Sequence, residues 1–321
     1  MLDPDFFRRY RPMPAPFWQW LAIRSWQRQE RRSGTRVVFE GLQVPPSTPV
    51  IFATNSTQKY DFMPIRVELA RRQIPTVTLT KGKNYHWAPM AFLLSRLGVI
   101  PLASRGYLLL VDFTGLLGRR PTEDEYRALR SHLDDGTPLP TGEAFARLER
   151  TPRRVLGYPF DPTTTGYRAL IDQVYAAVMK ETLRLTRQAV AAGAHVQIYP
   201  EGTAASRLGQ GRIGAVELSR ALGLPIIPVG ISGCREAFGG SGLSLRGGTI
   251  TVRFGALFKP DLHALPADFQ PFVPEHEARH RPVLQAATDA LMKEINALLD
   301  PAYQHLEGFA ADGTQGTERF L

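Results

Sequence analysis

Short apolar, β-branched runs alternate along the chain with longer segments in which apolar residues recur at helical spacing. The strand-like runs lie at residues 37–41, 49–54, 76–80, 98–102, 196–199, 225–231 and 248–255. Helical spacing is found at residues 63–72, 87–97, 167–192, 214–222 and 282–299. Alternation of this kind is typical of α/β proteins. The pattern therefore predicts a mixed, mostly parallel sheet flanked by helices.

Residues 1–35 differ from the rest of the chain because aromatic and basic side chains are interleaved there. Pro14 and Pro16 divide this segment into two short helical pieces. The apolar members are Phe6, Phe7, Phe17, Trp18, Trp20, Leu21, Ile23 and Trp26, and the basic members are Arg8, Arg9, Arg11, Arg24, Arg28, Arg31 and Arg32. Rings and cations together predict an N-terminal amphipathic segment that binds a membrane interface. The alternative interpretation is a helix that packs on the core and exposes a solvated basic face.

Composition limits the class of protein. A chain of 321 residues with 43% hydrophobic content is long enough for one large α/β core. The single cysteine, Cys234, excludes an internal disulfide and fits a reducing, cytoplasmic setting. Charged residues precede any apolar run, and no window of 18 uninterrupted apolar residues occurs. We therefore expect neither a signal peptide nor a membrane-spanning helix.

The net charge of the chain favours an anionic partner. Lysine and arginine number 39 against 30 acidic residues, which gives a net charge of +9. A phospholipid surface, the phosphates of coenzyme A and an acidic carrier protein all suit this charge. Nucleic acid is excluded as the expected partner because the sequence has no zinc-finger spacing, no aromatic RNP-like strand and no long basic run. No cluster of cysteine and histidine predicts a metal site.

Two polar segments follow strand-like runs and carry the candidate chemistry. Residues 54–61 read Thr-Asn-Ser-Thr-Gln-Lys-Tyr-Asp, and residues 198–203 read Ile-Tyr-Pro-Glu-Gly-Thr. Each is expected to form the loop at the carboxyl end of a strand, where open α/β sheets place their active sites. The two segments together predict one active site.

This pair of segments resembles the glycerolipid acyltransferase family, which includes the 1-acylglycerol-3-phosphate acyltransferases. In that family one strand ends in Asn-His-x4-Asp and a later strand ends in Phe-Pro-Glu-Gly-Thr. Asn55 and Asp61 have the matching spacing, but Ser56 stands where the family has histidine. The resemblance implies that the histidine accepts a proton from an acceptor hydroxyl that attacks an acyl thioester, while the aspartate orients the imidazole. This chain retains the orienting Asp61 and lacks the base.

Three explanations for Ser56 remain open. Ser56 replaces the base of an otherwise ordinary acyltransferase, or the chain is a noncatalytic lipid-binding relative, or another residue is the base. A general base contributes about 10²–10⁴ in rate, and a serine hydroxyl is too weakly basic to supply it at neutral pH. The candidates for a different base are His86, His195 and Lys59.

Five further residues are candidates for substrate binding. Lys81 ends a strand-like run, and a lysine there suits a phosphate, although a solvated surface lysine fits equally. Arg105 follows residues 98–102 and resembles the family arginine that contacts the acceptor phosphate, one residue later than usual. Gly202 permits close backbone approach, and Thr203 can hold a phosphate or an oxyanion. Glu201 would repel phosphate, so it is assigned to backbone amides or to an acceptor hydroxyl.

The resemblance also implies a domain organisation. An acyltransferase-type domain occupies residues 36–300, with an insertion at about residues 106–165 and a tail at residues 301–321. The insertion is rich in proline, glycine, threonine and charge, which predicts one or two short helices. It is either a lid over the acyl tunnel or a surface elaboration.

The predicted function is transfer of a fatty acyl group to the hydroxyl of a lipid acceptor at the cytoplasmic face of a membrane. Acyl-CoA or acyl carrier protein is the expected donor, and no other cofactor is expected. The usual Arg-Ser after the Glu-Gly-Thr segment is missing, which leaves room for an acceptor other than lysophosphatidate unless Arg207 or Lys81 compensates. An α/β hydrolase is disfavoured because no serine lies in a Gly-x-Ser-x-Gly elbow. The oligomeric state stays open.

Overall fold

A seven-stranded sheet forms the centre of the computed structural model, which describes residues 2–42, 48–239, 244–308 and 317. Its strands are β1 (Arg36–Glu40), β2 (Ile51–Thr54), β3 (Thr76–Lys81), β4 (Val99–Leu102), β7 (His195–Ile198), β8 (Ile226–Ser232) and β9 (Thr249–Phe254). A separate antiparallel hairpin consists of β5 (Arg153–Val155) and β6 (Tyr158–Phe160). The order across the large sheet is β1-β9-β8-β2-β7-β3-β4.

The sheet is mostly parallel, as the sequence predicts. Strands β8, β2, β7, β3 and β4 are parallel to one another. Strand β9 is antiparallel to β8, and β1 pairs with β9 in parallel. The α/β prediction with a mixed sheet is therefore confirmed. The carboxyl ends of the five parallel strands lie at one edge of the sheet, which places the loops after β2 and β7 side by side.

Helices cover both faces of the sheet. They are α1 (Pro4–Arg9), α2 (Pro16–Ser33), α3 (Phe62–Arg71), α4 (Ala88–Arg96), α5 (Arg105–Leu117), α6 (Glu123–Asp135), α7 (Glu143–Arg150), α8 (Tyr167–Ala191), α9 (Gly214–Leu222), α10 (Cys234–Ala237) and α11 (Pro274–Ala297). Because neighbouring residues of a strand point to opposite faces, Ile51 packs with α8 and α11, whereas Phe52 packs with α2 and α3. None of the helices in the described part combines the length and apolar character that crossing a bilayer requires.

The structure divides the aromatic N-terminal segment into buried and exposed parts. Phe7 and Tyr10, in and just after α1, are buried in the core, and the Tyr10 hydroxyl donates to the Val99 carbonyl oxygen. In α2, Trp26 is buried against Phe238, at a ring-centroid distance of 5.9 Å. The exposed aromatic side chains of α2 lie nearer its start, at Phe17 and at position 20. Only part of residues 1–35 therefore faces solvent.

The predicted insertion is more ordered than its composition suggests. It forms α5, α6, α7 and the β5–β6 hairpin instead of one or two short helices. Leu108 and Phe113 of α5 are completely buried in the main core. Arg153 of the hairpin binds both carboxylate oxygens of Asp112, at 2.7 and 2.6 Å. The capping box at Thr122, which starts α6, is a helix signal that the sequence already contained.

The predicted tail is described at residues 301–308 and at residue 317, and its other positions lie outside the described residues. Tyr303 is buried, and its carbonyl oxygen accepts a hydrogen bond from the Leu208 amide at 2.8 Å. The beginning of this segment therefore packs against the chain that follows the Glu-Gly-Thr loop.

Candidate active site

Asn55 fixes the start of the loop after β2. Its side-chain Nδ2 donates to the Ile231 carbonyl oxygen at 3.0 Å, and its Oδ1 accepts from the Ile231 amide at 2.7 Å. The side chain thus continues the pairing of β2 with β8 by one residue beyond Thr54. Asn55 is 1% exposed, so its role in the structure is to hold the loop in register with β8.

Glu201 joins the two motif loops at Ser56. Its Oε2 accepts the Ser56 amide at 2.8 Å, and its Oε1 accepts the Gly209 amide at 2.8 Å. The Ser56 carbonyl oxygen in turn accepts the Ala205 amide at 3.0 Å. The structure therefore brings the two predicted segments together, with both oxygens of the Glu201 carboxylate bonded to backbone amides.

Asp61 uses its two carboxylate oxygens differently. Oδ2 accepts the Gln58 amide at 2.9 Å and the Thr57 amide at 2.5 Å. Oδ1 is buried and has no hydrogen bond of ordinary geometry from a described residue, although the Cys234 thiol lies close enough to act on the carboxyl group. One oxygen of Asp61 therefore stabilises the loop, and the other remains available for a partner.

Burial strongly affects the protonation of both carboxyl groups. Loss of water raises the pKa of Asp61 to about 7, against the lowering effect of the Gln58 and Thr57 amides and the nearby Cys234 thiol. Burial also raises the pKa of Glu201 to about 7, and the charge of Asp61 adds to this increase. Two carboxyl groups that titrate near neutral pH thus flank Ser56.

Buried polar atoms without hydrogen-bond partners lie at the end of β2 and in the loop that follows it. Both side-chain amide atoms of Gln58 and the Oγ1 of Thr54 are buried and have no hydrogen-bond partner among the described residues. Buried polar groups in proteins are nearly always hydrogen-bonded. This corner of the loop is therefore suited to a polar partner such as water or a substrate hydroxyl.

The three alternative bases each make other contacts. His195 lies at the amino end of β7, at the opposite end of the strand from Glu201, and its Nδ1 accepts the Val50 amide at 3.2 Å. The His86 ring packs against Tyr107 at a centroid distance of 5.6 Å. The Lys59 ammonium lies over the neighbouring Tyr60 ring, also at 5.6 Å from its centroid. None of these contacts places a base at residue 56.

Arg105 begins α5 and forms ion pairs with two carboxylates. Its guanidinium donates to Asp134 of α6 at 3.1 Å and to Asp172 of α8 at 3.4 Å. Arg207 donates to the carbonyl oxygens of Pro301 and Gln304, each at 3.3 Å. These bonds tie together parts of the fold, so both arginines would bind an acceptor phosphate only in competition with existing partners.

The other predicted binding residues lie at the same edge of the sheet as Ser56. Lys81 ends β3, which is separated from β2 by β7, and its side chain is half-buried. Gly202 has a φ angle of 64°, in the left-handed region that favours glycine. Thr203 follows it and is half-buried. These positions suit a substrate-binding role.

Two residues near the site escaped the sequence analysis. Gly209 supplies one of the two amides that hold Glu201. Arg212 donates from Nε to the Glu201 carbonyl oxygen at 3.3 Å, and a Cβ atom added at Gly202 would lie 3.2 Å from its Cδ. The only sequence signal was the glycine pair at 209 and 211, which indicates a tight return of the chain across the loop. No cluster of histidine, cysteine and acidic residues in the described ranges could hold a metal ion.

The raised pKa of Asp61 gives a testable dependence of stability on pH. The folded carboxyl stays protonated up to about pH 7, whereas the unfolded group ionises near the ordinary aspartate pKa of 3.8. The contribution of Asp61 to the free energy of unfolding is therefore complete below pH 4 and is lost as the pH rises through 7.

Asp61→Asn keeps an acceptor oxygen for the loop amides and removes the titration. We expect the free energy of unfolding of the variant, relative to the unchanged chain, to rise by up to about 1.4 kcal/mol per pH unit in this window. Urea unfolding at pH 5 and pH 7 measures the difference, and a pH-independent difference would contradict the assigned titration.

Comparison with known proteins gives a structural neighbour and no family assignment. Neither the models of known protein families nor the sequences of curated proteins match this chain. One solved structure to which this chain is similar is the crystal structure of the 1-acyl-sn-glycerophosphate (LPA) acyltransferase PlsC from Thermotoga maritima. The similarity covers 86% of this chain and 78% of that chain, at 12% sequence identity and a TM-score of 0.43. At these values the likeness carries no argument about this chain.

Proposed function

We propose that this chain is an acyltransferase-type protein that transfers a fatty acyl group from acyl-CoA or acyl carrier protein to the hydroxyl of a lipid acceptor. The observation that carries the proposal is the contact between the two motif loops, in which Glu201 binds the Ser56 amide. The loop after β2 and the loop after β7 are far apart in sequence, and their junction lies at the edge where open α/β sheets bind substrates. Asp61 lies within the same loop as Ser56.

The proposed reaction places each residue at a chemical step. The acceptor oxygen attacks the thioester carbonyl, the C–S bond breaks, and the acceptor proton passes through a base to the leaving thiolate. A base at position 56 would be oriented by the available Oδ1 of Asp61. The backbone at Gly202 and the Thr203 hydroxyl would hold the oxyanion or a substrate phosphate. With Ser56 at the base position, the chain is expected to be impaired.

The cations near the site favour an acceptor whose recognition depends little on phosphate. Arg105 is bonded to Asp134 and Asp172, and Arg207 is bonded to backbone carbonyl oxygens. Binding a phosphate at Arg105 would add a third anionic partner and require partial release of the other two. Lys81 at the end of β3 is the third cation among the predicted ligands. A lipid alcohol without a phosphate therefore fits at least as well as lysophosphatidate.

A group of aromatic side chains, most of them exposed, supports action at a membrane surface. Phe17, Trp18 and Trp20 of α2 and Phe92 of α4 form an aromatic patch, joined by ring contacts such as Trp18–Phe92 at 5.6 Å. Phe17 is 62% exposed and Trp20 is 53% exposed. Trp87, the residue before α4, is also exposed, and it follows the carboxyl end of β3, at the sheet edge that carries the Ser56 loop. Rings exposed in this way are typical of the headgroup region of a bilayer.

Removal of two aromatic rings from the patch should weaken binding to lipid vesicles. We expect the double variant Phe17→Ala and Trp20→Ala to bind phospholipid vesicles at least about tenfold more weakly, because each ring would otherwise bury apolar surface in the interface. Cosedimentation with vesicles measures the change. The matched control replaces two exposed leucines outside the patch, Leu257 and Leu306, by alanine. Equal losses in both variants, or no loss in the first, would contradict membrane binding through the patch.

A noncatalytic lipid-binding relative is the second candidate, and the absence of histidine at position 56 favours it. The two candidates are separated by thiol release from a panel of long-chain acyl-CoA and acyl-carrier donors with lipid acceptors, for the unchanged chain and for Ser56→His. Release that depends on the acceptor and appears in the variant supports the acyltransferase. Equal release in both shows that a different base operates. Lipid binding without release in either supports the noncatalytic protein.

A further inference from the structure

A charged cleft lies between the N-terminal segment and the end of α4. Its volume is about 530 Å³, and its lining includes three arginines, Arg9, Arg11 and Arg96, together with Ser95. This volume falls in the range of about 300–1,000 Å³ that is usual for small-molecule sites. The cleft is separate from the Ser56 loop. It lies near Val99, at the amino end of β4, whereas the Ser56 loop lies at the carboxyl edge of the sheet.

The charges in the cleft leave a surplus of cations. Two acidic residues also line it. Asp5 pairs with Arg8, whereas Asp3, which accepts the Phe6 amide at 2.8 Å as the cap of α1, retains its charge, so three arginines face one carboxylate that is unpaired among the described residues. The three lining arginines form no ion pair with any residue in the described part of the chain, and all three are exposed. The cleft is therefore suited to an anion that brings its own negative charge.

The cleft is continuous with the aromatic patch. The Arg96 guanidinium lies 5.0 Å from the centroid of the Phe92 ring, and Phe92 in turn contacts Trp18. The chain between α1 and α2 is held firmly on the end of α4, because the Ala15 amide donates to the Arg96 carbonyl oxygen at 2.8 Å. A Cβ atom at Gly98 would lie only 2.8 Å from the Pro12 carbonyl oxygen. Both walls of the cleft are thus set by backbone contacts.

We propose that this cleft binds the phosphate headgroup of an anionic phospholipid in the bilayer on which the aromatic patch rests. The proposal depends on the membrane binding in the proposed function and adds a specific lipid site to it. Aromatic side chains at an interface lie at headgroup depth, so the arginine beside Phe92 lies at the level of the phosphates. Guanidinium groups bind phosphate oxygens in a bidentate manner. The apolar neighbours favour a lipid over a free phosphate, which would gain nothing from them.

The test compares vesicles of phosphatidylcholine with vesicles that contain phosphatidylglycerol, using the full chain and two charge variants. The cleft variant is Arg9→Gln with Arg11→Gln. The control is Arg220→Gln with Lys293→Gln, which removes the same charge from exposed positions on α9 and α11. Helix α11 packs on the sheet face opposite to α2. We expect the cleft variant to bind anionic vesicles roughly thirtyfold more weakly, and the control less than about threefold more weakly.

Each other outcome overturns the proposal in a distinct way. Equal losses of vesicle binding in the two variants would show that the overall positive charge of the surface, and not the cleft, attracts the anionic lipid. Equal binding of the unchanged chain to neutral and anionic vesicles would remove the headgroup site and leave membrane binding intact. Absence of binding to either vesicle would also overturn the membrane part of the proposed function. Release of the chain by millimolar inorganic phosphate at constant ionic strength would assign the cleft to free phosphate. Thermal unfolding of both variants checks that the fold is unchanged.

Discussion

The Ser56→His chain should release thiol from a long-chain acyl-CoA in the presence of a lipid alcohol about 10²–10⁴-fold faster than the unchanged chain. The expected gain is the usual contribution of a positioned general base. A histidine at residue 56 would take its place in a loop whose backbone is already held by Glu201 and by Ala205. The acquired side chain therefore does not have to organise the loop itself.

Asp61 explains why a single substitution should be sufficient. Its Oδ2 is occupied by the Thr57 and Gln58 amides, whereas Oδ1 has no hydrogen bond of ordinary geometry from a described residue. An imidazole N–H that reached Oδ1 would gain an orienting partner. It would also stabilise the ionised carboxylate and oppose the burial that now raises the pKa of Asp61.

The control for this prediction is the addition of Asp61→Asn to the Ser56→His chain. The asparagine can still accept the loop amides, but it cannot stabilise a positively charged imidazolium. We expect most of the gain in rate to disappear while a cooperative thermal unfolding transition shows that the double variant is still folded. Activity that survives the loss of Asp61 would show that the carboxylate does not orient the base. Inactivity of a folded Ser56→His chain with every donor and acceptor would contradict the acyltransferase assignment.

Replacement of Glu201 by alanine should destabilise the candidate site strongly. The substitution leaves the Ser56 and Gly209 amides without their acceptor, and each lost partner costs about 1–3 kcal/mol when the donor is shielded from water. Urea unfolding measures the total loss. Hydrogen exchange should show faster exchange at these two amides than at the amides of the central strands.

Two variants make the interpretation of the Glu201 result specific. Glu201→Gln keeps one acceptor oxygen and should lose about half as much stability as Glu201→Ala, because one amide then faces an NH₂ group. Glu181→Ala removes a carboxylate that pairs with Arg184 on the exposed side of α8, at 2.8 Å, and should cost no more than about 1 kcal/mol. Equal losses for Glu201→Ala and Glu181→Ala would mean that the Glu201 bridge does not hold the two loops together.

Much of the sheet and the position of the candidate site could be predicted from the sequence. The short β-branched runs at residues 49–54, 76–80 and 196–199 predicted strands, which the structure has at residues 51–54, 76–81 and 195–198. The prediction works because side chains buried on both faces of a parallel sheet are nearly all apolar. The contact between residues 56 and 201 follows from the same pattern, since the loops after neighbouring parallel strands lie at one edge. Less could be predicted for the insertion, where frequent proline and glycine obscured three helices. Two of them, α5 and α6, have a side-chain cap at the start and a glycine at the end, whereas α7 has neither.

The tertiary structure decided which partners the charged side chains have and which aromatic side chains are buried. Arg105 looks like a phosphate ligand in the sequence, but Asp134 and Asp172, which come 29 and 67 residues later, bind its guanidinium. Phe7 and Trp26 look like membrane anchors, but the core buries them while Phe17 stays exposed. Spacing along the chain cannot show these outcomes, because pairing and burial depend on which distant elements pack together.

The sequence by itself determined the α/β class, the two motif loops and the substitution of serine at position 56. These properties are local, since the periodicity of a strand or helix and the chemistry of a loop are written in consecutive residues. Only the tertiary structure decided that both carboxylate oxygens of Glu201 accept backbone amides and that one oxygen of Asp61 stays available. It also decided that Arg96 links the charged cleft to the aromatic patch. Those properties depend on distances between atoms from separate elements, which packing alone fixes.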